Sequence, residues 1–361
     1  MATLTPQFSI SAGSFKSTAD NAVGGPVRIL VDRDMDLPAD SMEAHMMERS
    51  GVAEGDSISV ELGHDGTTEK VFTGAVVEVI PEYGQGTARV RIRALGEMNK
   101  LLNLRQASTY EGQSAGDIVR DLMNAAGLSE GTISDGPTLP RFAVHQLASA
   151  FVHVKGLADR LGYELYTDRD GKLMFQALGD AASLDSAGGG LLGAAASAAE
   201  SAASSLLGLG GGSEGYAFGK HLVRIAASQG TEPLVSVQVG GESPASTQGD
   251  EKAHWLTTDD SSLDGSAGNG DPHRMFLDPA ARTKDMADRF ASGRLSVANR
   301  RAREVRLTVL GRPSLDLGDS IEVTDVPDTA ATGKGYIRSI RHRFGGGIGF
   351  LTSLTILPGG S

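Results

Sequence analysis

Two hexapeptides constrain this chain more than any other feature: "GDSISV" at 55–60 and "GDSIEV" at 318–323 differ at one position. With 48 glycines in the chain, a five-of-six match is expected roughly once by chance, so the strings alone prove nothing. Their surroundings decide. After Gly55 the next glycine-led apolar strand is "GAVVEV" at 74–79, and after Gly318 it is "GYIRSI" at 335–340, at nearly equal offset. A Gly-Asp strand entrance ahead of an apolar strand, met twice, predicts two related antiparallel barrels at the two ends of the chain. Gly55, Asp56, Gly74, Gly318, Asp319 and Gly335 form the signature of these barrels, and their role is turn geometry rather than chemistry.

Such a duplication has a geometric use. A chain with two similar barrels, assembled as a cyclic trimer, presents six similar modules around one axis, so a three-fold molecule can meet a six-fold partner.

The 361 residues are enough for two or three packed units. Abundant glycine against 5% aromatics points to many turns and hairpins, hence an α+β chain that is mainly β. A net charge of −12 argues against binding to phosphate backbones, so no nucleic-acid specificity is expected. The absence of cysteine excludes disulfides, thiolate metal sites and a Cys nucleophile. The first twenty residues lack the charged start and apolar core of a secretory signal, which predicts synthesis in the cytoplasm.

Along the chain, short β-branched or period-two runs at 25–31, 57–62, 69–80 and 87–96 predict a first tube-like barrel domain over 1–107. In "TARVRIRALG" the residues Ala88, Val90, Ile92 and Ala94 face one side and Arg89, Arg91 and Arg93 the other. An αβ domain follows over 108–180, with two helices and a hairpin. The first helix is capped by Ser114 with Asp117 three positions on, buries Ile118, Val119 and Leu122, and stops at Gly127. The second carries a stripe of Val154, Leu157, Ala158 and Leu161 and stops at Gly162. Asp170-Gly171 marks the hairpin turn.

Residues 181–215 are a low-complexity Ala/Ser/Gly-rich insertion, which Glu200 and several serines disqualify as a membrane span, so no stable membrane insertion is expected. The second tube-like barrel domain is predicted over 216–361, with a polar surface loop at 242–277 and a long helix at 278–300 opened by Asp278-Pro279. Four strand candidates close the chain at meander-like spacing.

No site chemistry emerges. The eight histidines include no HExxH pattern, the acidic run at 259–271 lacks the spacing of a calcium loop, and "FGGGIGF" at 344–350 reads as a hairpin turn. No catalytic residue, metal or cofactor is therefore assigned. Arg89, Arg91, Arg93, Arg338, Arg341 and Arg343 flank strands as solvated faces do, and His342, which follows an apolar strand, is expected to pack or hydrogen-bond at a barrel rim; a contact with a tube or a lumen is the alternative role of these seven residues.

In order and spacing, "VFTGAVVEV" (71–79), "YEGQSAGDIVRDLMNAAGL" (110–128), "LPRF" (139–142), "LADRLGYELYTDRDGKL" (157–173), "GRPSLDLGDSIEV" (311–323) and "GYIRSIRHRF" (335–344) resemble the phage late control D family. These are baseplate hub proteins of contractile tails, similar also to the N-terminal hub part of type VI secretion spike proteins. The resemblance implies a homotrimeric, pseudo-sixfold ring that binds a hexameric tail tube protein on one side and a spike on the other, among other baseplate proteins. The last strand candidate ends near Ser361, so the spike is expected to be a separate polypeptide. The resemblance covers phage tails, type VI systems and extracellular injection particles alike. On the residues alone, a tail-tip cell-wall hydrolase and a β-rich receptor- or glycan-binding module stay open.

Overall fold

The computed structural model describes residues 4–20, 26–47, 51–84, 87–178, 214–229, 234–241, 264–300, 303–328 and 331–358. The insertion predicted at 181–215 lies outside these residues up to position 213, as do Gly25 and the first part of the polar loop, 242–263.

Seven strands open the chain: β1 (Pro6–Ala12), β2 (Phe15–Thr18), β3 (Pro26–Asp34), β4 (Ser41–Met46), β5 (Ser57–His64), β6 (Thr67–Gly84) and β7 (Thr87–Gly96). The middle segment holds α1 (Asn99–Asn103), β8 (Ser108–Ser114), α2 (Ala115–Ala126), β9 (Ser129–Ile133), β10 (Thr138–Val144), α3 (Ala150–Leu161), β11 (Glu164–Thr167) and β12 (Lys172–Gln176). Then come β13 (Glu214–Ala217), β14 (Leu222–Gln229), β15 (Ser236–Gly241), β16 (Asp264–Gly268), β17 (His273–Asp278) and α4 (Lys284–Asn299). Four strands end the chain: β18 (Arg303–Leu310), β19 (Ser320–Thr324), β20 (Gly333–Gly345) and β21 (Gly349–Pro358).

The fold is mainly β, but the terminal strands do not divide into two separate barrels as expected. Thirteen of them form one open sheet in the order β14-β18-β21-β20-β3-β4-β7-β6-β5-β1-β2, with β19 on β20 and β13 on β19. The reason is the length of β20. Its first residues pair with β19, while Ser339–Gly345 run past that partner and expose an edge that β3 fills. Each half of the sheet nevertheless encloses its own core. Ile10, Ile29, Val60 and Ile92 belong to one, Leu307, Ile321, Ile337 and Leu354 to the other, all essentially removed from water.

In the middle segment the local signals act as read. Ser114 Oγ accepts the Asp117 N–H at 3.0 Å, and Gly127 ends α2 in the left-handed region at φ 70°. Gly162 ends α3 likewise at φ 75°. Asp168–Gly171 closes the β11–β12 hairpin, and β9 joins it in parallel. The pairing of β8 with β10 adds strands that periodicity did not indicate.

Two expectations for the C-terminal region need correction. The helix begins at Lys284, not at Asp278, with Thr283 Oγ1 accepting the Met286 N–H. Asp278 instead accepts the Ala280 N–H and two guanidinium groups, which holds 279–283 as a turn. The described end of the polar loop is also not a surface excursion: β16 and β17 flank β15 in a three-stranded sheet. Its sequence looks solvated because the position packed under α4 is Gly265, where a Cβ would run into the Ala287–Asp288 backbone. Helix α4 also lies against α3, so Met286, Phe290 and Ala291 share a core with Val154, Leu157 and Phe175 rather than with the terminal strands.

Candidate functional site

The two Gly-Asp entrances are built from the same hydrogen bonds. Gly55 adopts φ 89° and donates its N–H to Val76 O at 2.8 Å; Gly318 adopts φ 87° and donates to Ile337 O at 2.8 Å. Val76 and Ile337 return N–H bonds to the carbonyls of Asp56 and Asp319, both at 2.9 Å. The Asp56 carboxylate accepts the Ala53 N–H at 2.8 Å, and that of Asp319 accepts the Asp316 N–H at 2.7 Å. A short side chain whose carboxylate reaches back to the N–H three residues earlier closes this turn, and the preceding residue enters the left-handed region that favours glycine, so Gly-Asp suits the position locally. At Gly74 and Gly335 a Cβ would collide with the carbonyls of Leu95 and Leu357 on the next strand.

The correspondence extends through each half-sheet. The first half runs β3-β4-β7-β6-β5-β1 and the second β14-β18-β21-β20-β19-β13. Bulges fall at matching points: between Val76 and Glu78 in β6 and between Ile337 and Ser339 in β20, then between Pro26 and Arg28 in β3 and between Leu222 and Arg224 in β14. The outermost strands differ, since β1 is antiparallel to β5 whereas β13 is parallel to β19.

The seven flanking cations divide by burial. Arg338 is 4% exposed and ion-paired to Asp36 and to Glu164, the latter at 2.6 Å. His342 is 1% exposed; its Nδ1 meets Thr352 Oγ1 at 3.0 Å, and burial lowers its pKa to about 3, so it is neutral. Both belong to the interior. Arg89 is exposed, Arg93 pairs with Glu78 at 2.9 Å, and Arg91 pairs with Glu82 at 3.1 Å. Arg341 pairs with Asp32. Arg341 and Arg343 line a groove of about 580 Å³ with Arg224, Arg306, Asp32 and Asp34. The matching place in the first half, about 480 Å³, is lined by Glu43, Glu54, Glu78 and Arg93. The linings of the two grooves therefore differ in net charge, basic in the second half and acidic in the first, with Asp32 shared by both.

Sequence reasoning missed the buried ionic groups that lock the segments together. Arg33, fully buried near the end of β3, donates to Asp40 at 3.0 Å, to Asp316 at 2.7 Å and to the Thr167 carbonyl at 2.8 Å. Burial alone would lower its pKa, but the flanking carboxylates of Asp316 and Asp40 hold it raised and charged. Glu164 accepts from Arg338 and from Arg300 at 2.9 Å, and Asp278 binds Arg160 at 2.7 Å and Arg294 at 2.6 Å. Despite the desolvation that opposes it, this pairing holds the Asp278 carboxyl below its usual range. These partners are far apart in sequence, and no periodicity announces them.

Among the described residues no group of three His, Cys, Asp or Glu could hold a metal ion, and no helix is long and apolar enough to cross a membrane.

No protein-family model matches the chain, and no curated protein matches it in sequence. Solved structures do. A 43 kDa tail protein of prophage MuSo2 from Shewanella oneidensis superposes with a TM-score of 0.68 at 12% identity, over 98% of both chains. A tail protein from Neisseria meningitidis MC58 gives 0.67 at 13%, over 98% of this chain and 96% of its own. The E. coli c3393 protein, a type VI secretion component structurally similar to T4 tail proteins gp27 and gp5, gives 0.55 at 9%, over 97% of this chain and 76% of its own. The fold is thus that of phage tail proteins and of a type VI secretion component, the same group that the sequence resembles.

Proposed function

We propose that this chain is a structural, non-enzymatic baseplate hub of a contractile phage tail or injection system. Three copies form a ring of six strand modules, which seats a hexameric inner tube on one face and a separate trimeric spike on the other. The observation that carries this reading is the repeated entrance: the same four backbone and side-chain hydrogen bonds at Gly55-Asp56 and Gly318-Asp319, set in the same strand order. A three-fold assembly of such a chain offers a six-fold partner six near-equivalent docking positions. The shared fold with tail proteins supports the setting.

The mechanism is mechanical. Strand pairing between copies and apolar burial make the trimer obligate, with interfaces above roughly 2,000 Å². The exposed cations Arg89, Arg93 and Arg341 are the candidates for contact with tube or lumen, whereas Arg338 and His342 act by holding the second module in shape. The particle is assembled after synthesis in the cytoplasm. Light scattering of the purified chain, followed by mixing with the tube protein of the same particle, tests the proposal: a trimer that seeds tube growth is expected, and a monomer that ignores the tube protein refutes it.

A further inference from the structure

Each chain contains one filled seam and the two edges of a second. In the filled seam, Ser339–Gly345 of β20 run beyond β19 and pair on both sides, with β21 and, antiparallel, with β3. The corresponding stretch of β6, Glu78–Gly84, runs beyond β5 in the same manner but, among the described strands, pairs only with β7. The strand that corresponds to β3 is β14, which ends the sheet: β18 lies on one side and no described strand on the other. These edges do not pair within the chain: β14 and β6 stand seven ladder steps apart in the sheet, and no described ladder joins them.

We propose that β14 of one copy pairs antiparallel with Glu78–Gly84 of a second copy, in the register that β3 keeps with β20. The bulges fix that register. Glu78 and Ser339 each follow a bulge, as do Arg224 and Arg28, so the observed pairs Phe344–Ile29 and Arg343–Leu30 translate into Tyr83 opposite Ile225 and Glu82 opposite Ala226.

Three observations favour a second copy as the occupant. Tyr83 is 82% and Val223 59% exposed, and most of β14 is open to solvent. The pairing places an aromatic ring opposite a β-branched side chain, a favourable cross-strand pair. It also sets Arg224 diagonal to Glu82 on one face, at the ~7–8 Å spacing that long side chains span. In the filled seam an ion pair between Arg341 and Asp32, directly opposite each other, does the same work. Among the described residues Arg224 carries no ion pair. Pro81 lies within the open stretch of β6 and has no N–H to donate, so the seam forgoes at most one ladder hydrogen bond there.

The contact is heterologous, so it must repeat around an axis to close. It rests on the trimeric reading for the number of copies, not for which strands meet. The chain has no cysteine, so introduced pairs report without background. Glu82→Cys with Ala226→Cys, and Pro81→Cys with Ala227→Cys for the alternate pair class, place Cα atoms about 4.5–5.5 Å apart across the seam, within disulfide reach. Mild oxidation is expected to give covalent dimers and trimers, with none from single variants or from Glu82→Cys with Glu111→Cys. A trimer by light scattering that cross-links through neither pair overturns the pairing and leaves the trimer standing. A monomer without cross-links overturns both. Hydrogen exchange on the unaltered protein decides the matter if the variants fail to fold. Slow exchange at 78–84 and 222–229 in the trimer is expected, and free exchange, or protection that appears only after tube protein is added, assigns the edges elsewhere.

Discussion

Arg33 and Asp316 form a 2.7 Å ion pair that fastens the last residues of β3 to the turn preceding the second Gly-Asp entrance. The same Asp316 carboxylate accepts the Arg169 N–H at 3.0 Å, and the Asp316 N–H is bound by Asp319. One buried guanidinium thereby ties the first half-sheet, the middle segment and the second entrance together.

Removing that guanidinium leaves two carboxylates short of their partner in a dry site, which costs about 3–5 kcal/mol. Arg33→Met is expected to lower the unfolding free energy by an amount in that range, read as a fall in the denaturant midpoint at unchanged slope. Arg33→Lys should recover little, because a single ammonium cannot reach Asp40, Asp316 and the Thr167 carbonyl from three directions. Equal stability of the lysine variant and the parent in urea would contradict this.

The two entrances should respond alike to loss of the carboxylate and differently to loss of the glycine. Asp56→Ala and Asp319→Ala each remove one turn hydrogen bond, worth about 1 kcal/mol. Gly55→Ala meets nothing within 4 Å and carries only the left-handed backbone cost of about 1–2 kcal/mol. Gly318→Ala adds a clash with Tyr166 Oη, 2.7 Å from the new methyl, and should be the more damaging. Equilibrium unfolding of the four variants checks the ranking.

Acid sensitivity should trace to His342. Its folded-state pKa of about 3 lies below the ordinary value of 6.5, so the unfolded chain binds the extra proton first. The stability tied to the neutral ring is complete above pH 6.5 and is lost as pH falls towards 3, at roughly 1.4 kcal/mol per pH unit in that window. The Asp278 carboxyl, held low by Arg160 and Arg294, contributes only below the ordinary aspartate range. His342→Gln is therefore expected to flatten the loss of stability between pH 6 and 4, followed by thermal unfolding at each pH.

Gly293 marks where α4 and the end of α3 touch backbone to backbone. An alanine there gains about 1 kcal/mol of helix propensity. Its methyl would meet Arg160 O, the Gly162 N at 2.7 Å and the Leu161 carbonyl carbon at 2.7 Å, none of which is a flexible side chain. Overpacking of this kind costs about 1–3 kcal/mol, so the net effect of Gly293→Ala is a lower melting temperature.

What could be read from the chain was local. Ser114, Gly127, Gly162 and the Gly-Asp entrances are set by neighbours a few residues away, and their geometry was legible in order. The start of α4 was not, because Asp278 looks like a cap but is claimed by Arg160, far upstream. β16 was hidden by a glycine in the buried position, where an apolar side chain would have betrayed it. The merging of two expected barrels into one sheet depends on β20 pairing with β3, a contact between the ends of the chain that no pattern within either strand encodes. The arginines chosen near the strands mixed interior with surface, since alternation along a strand says which face a residue takes but not whether that face is covered.

The proposed hub requires three chains that present six equivalent modules. Particle averaging down the assembly axis, on purified protein of known mass, examines that most directly. A mass three times that of the chain, with six similar strand modules around a common channel, is the result expected. A monomer at micromolar concentration, or a ring whose copy number is not a multiple of three, would contradict it.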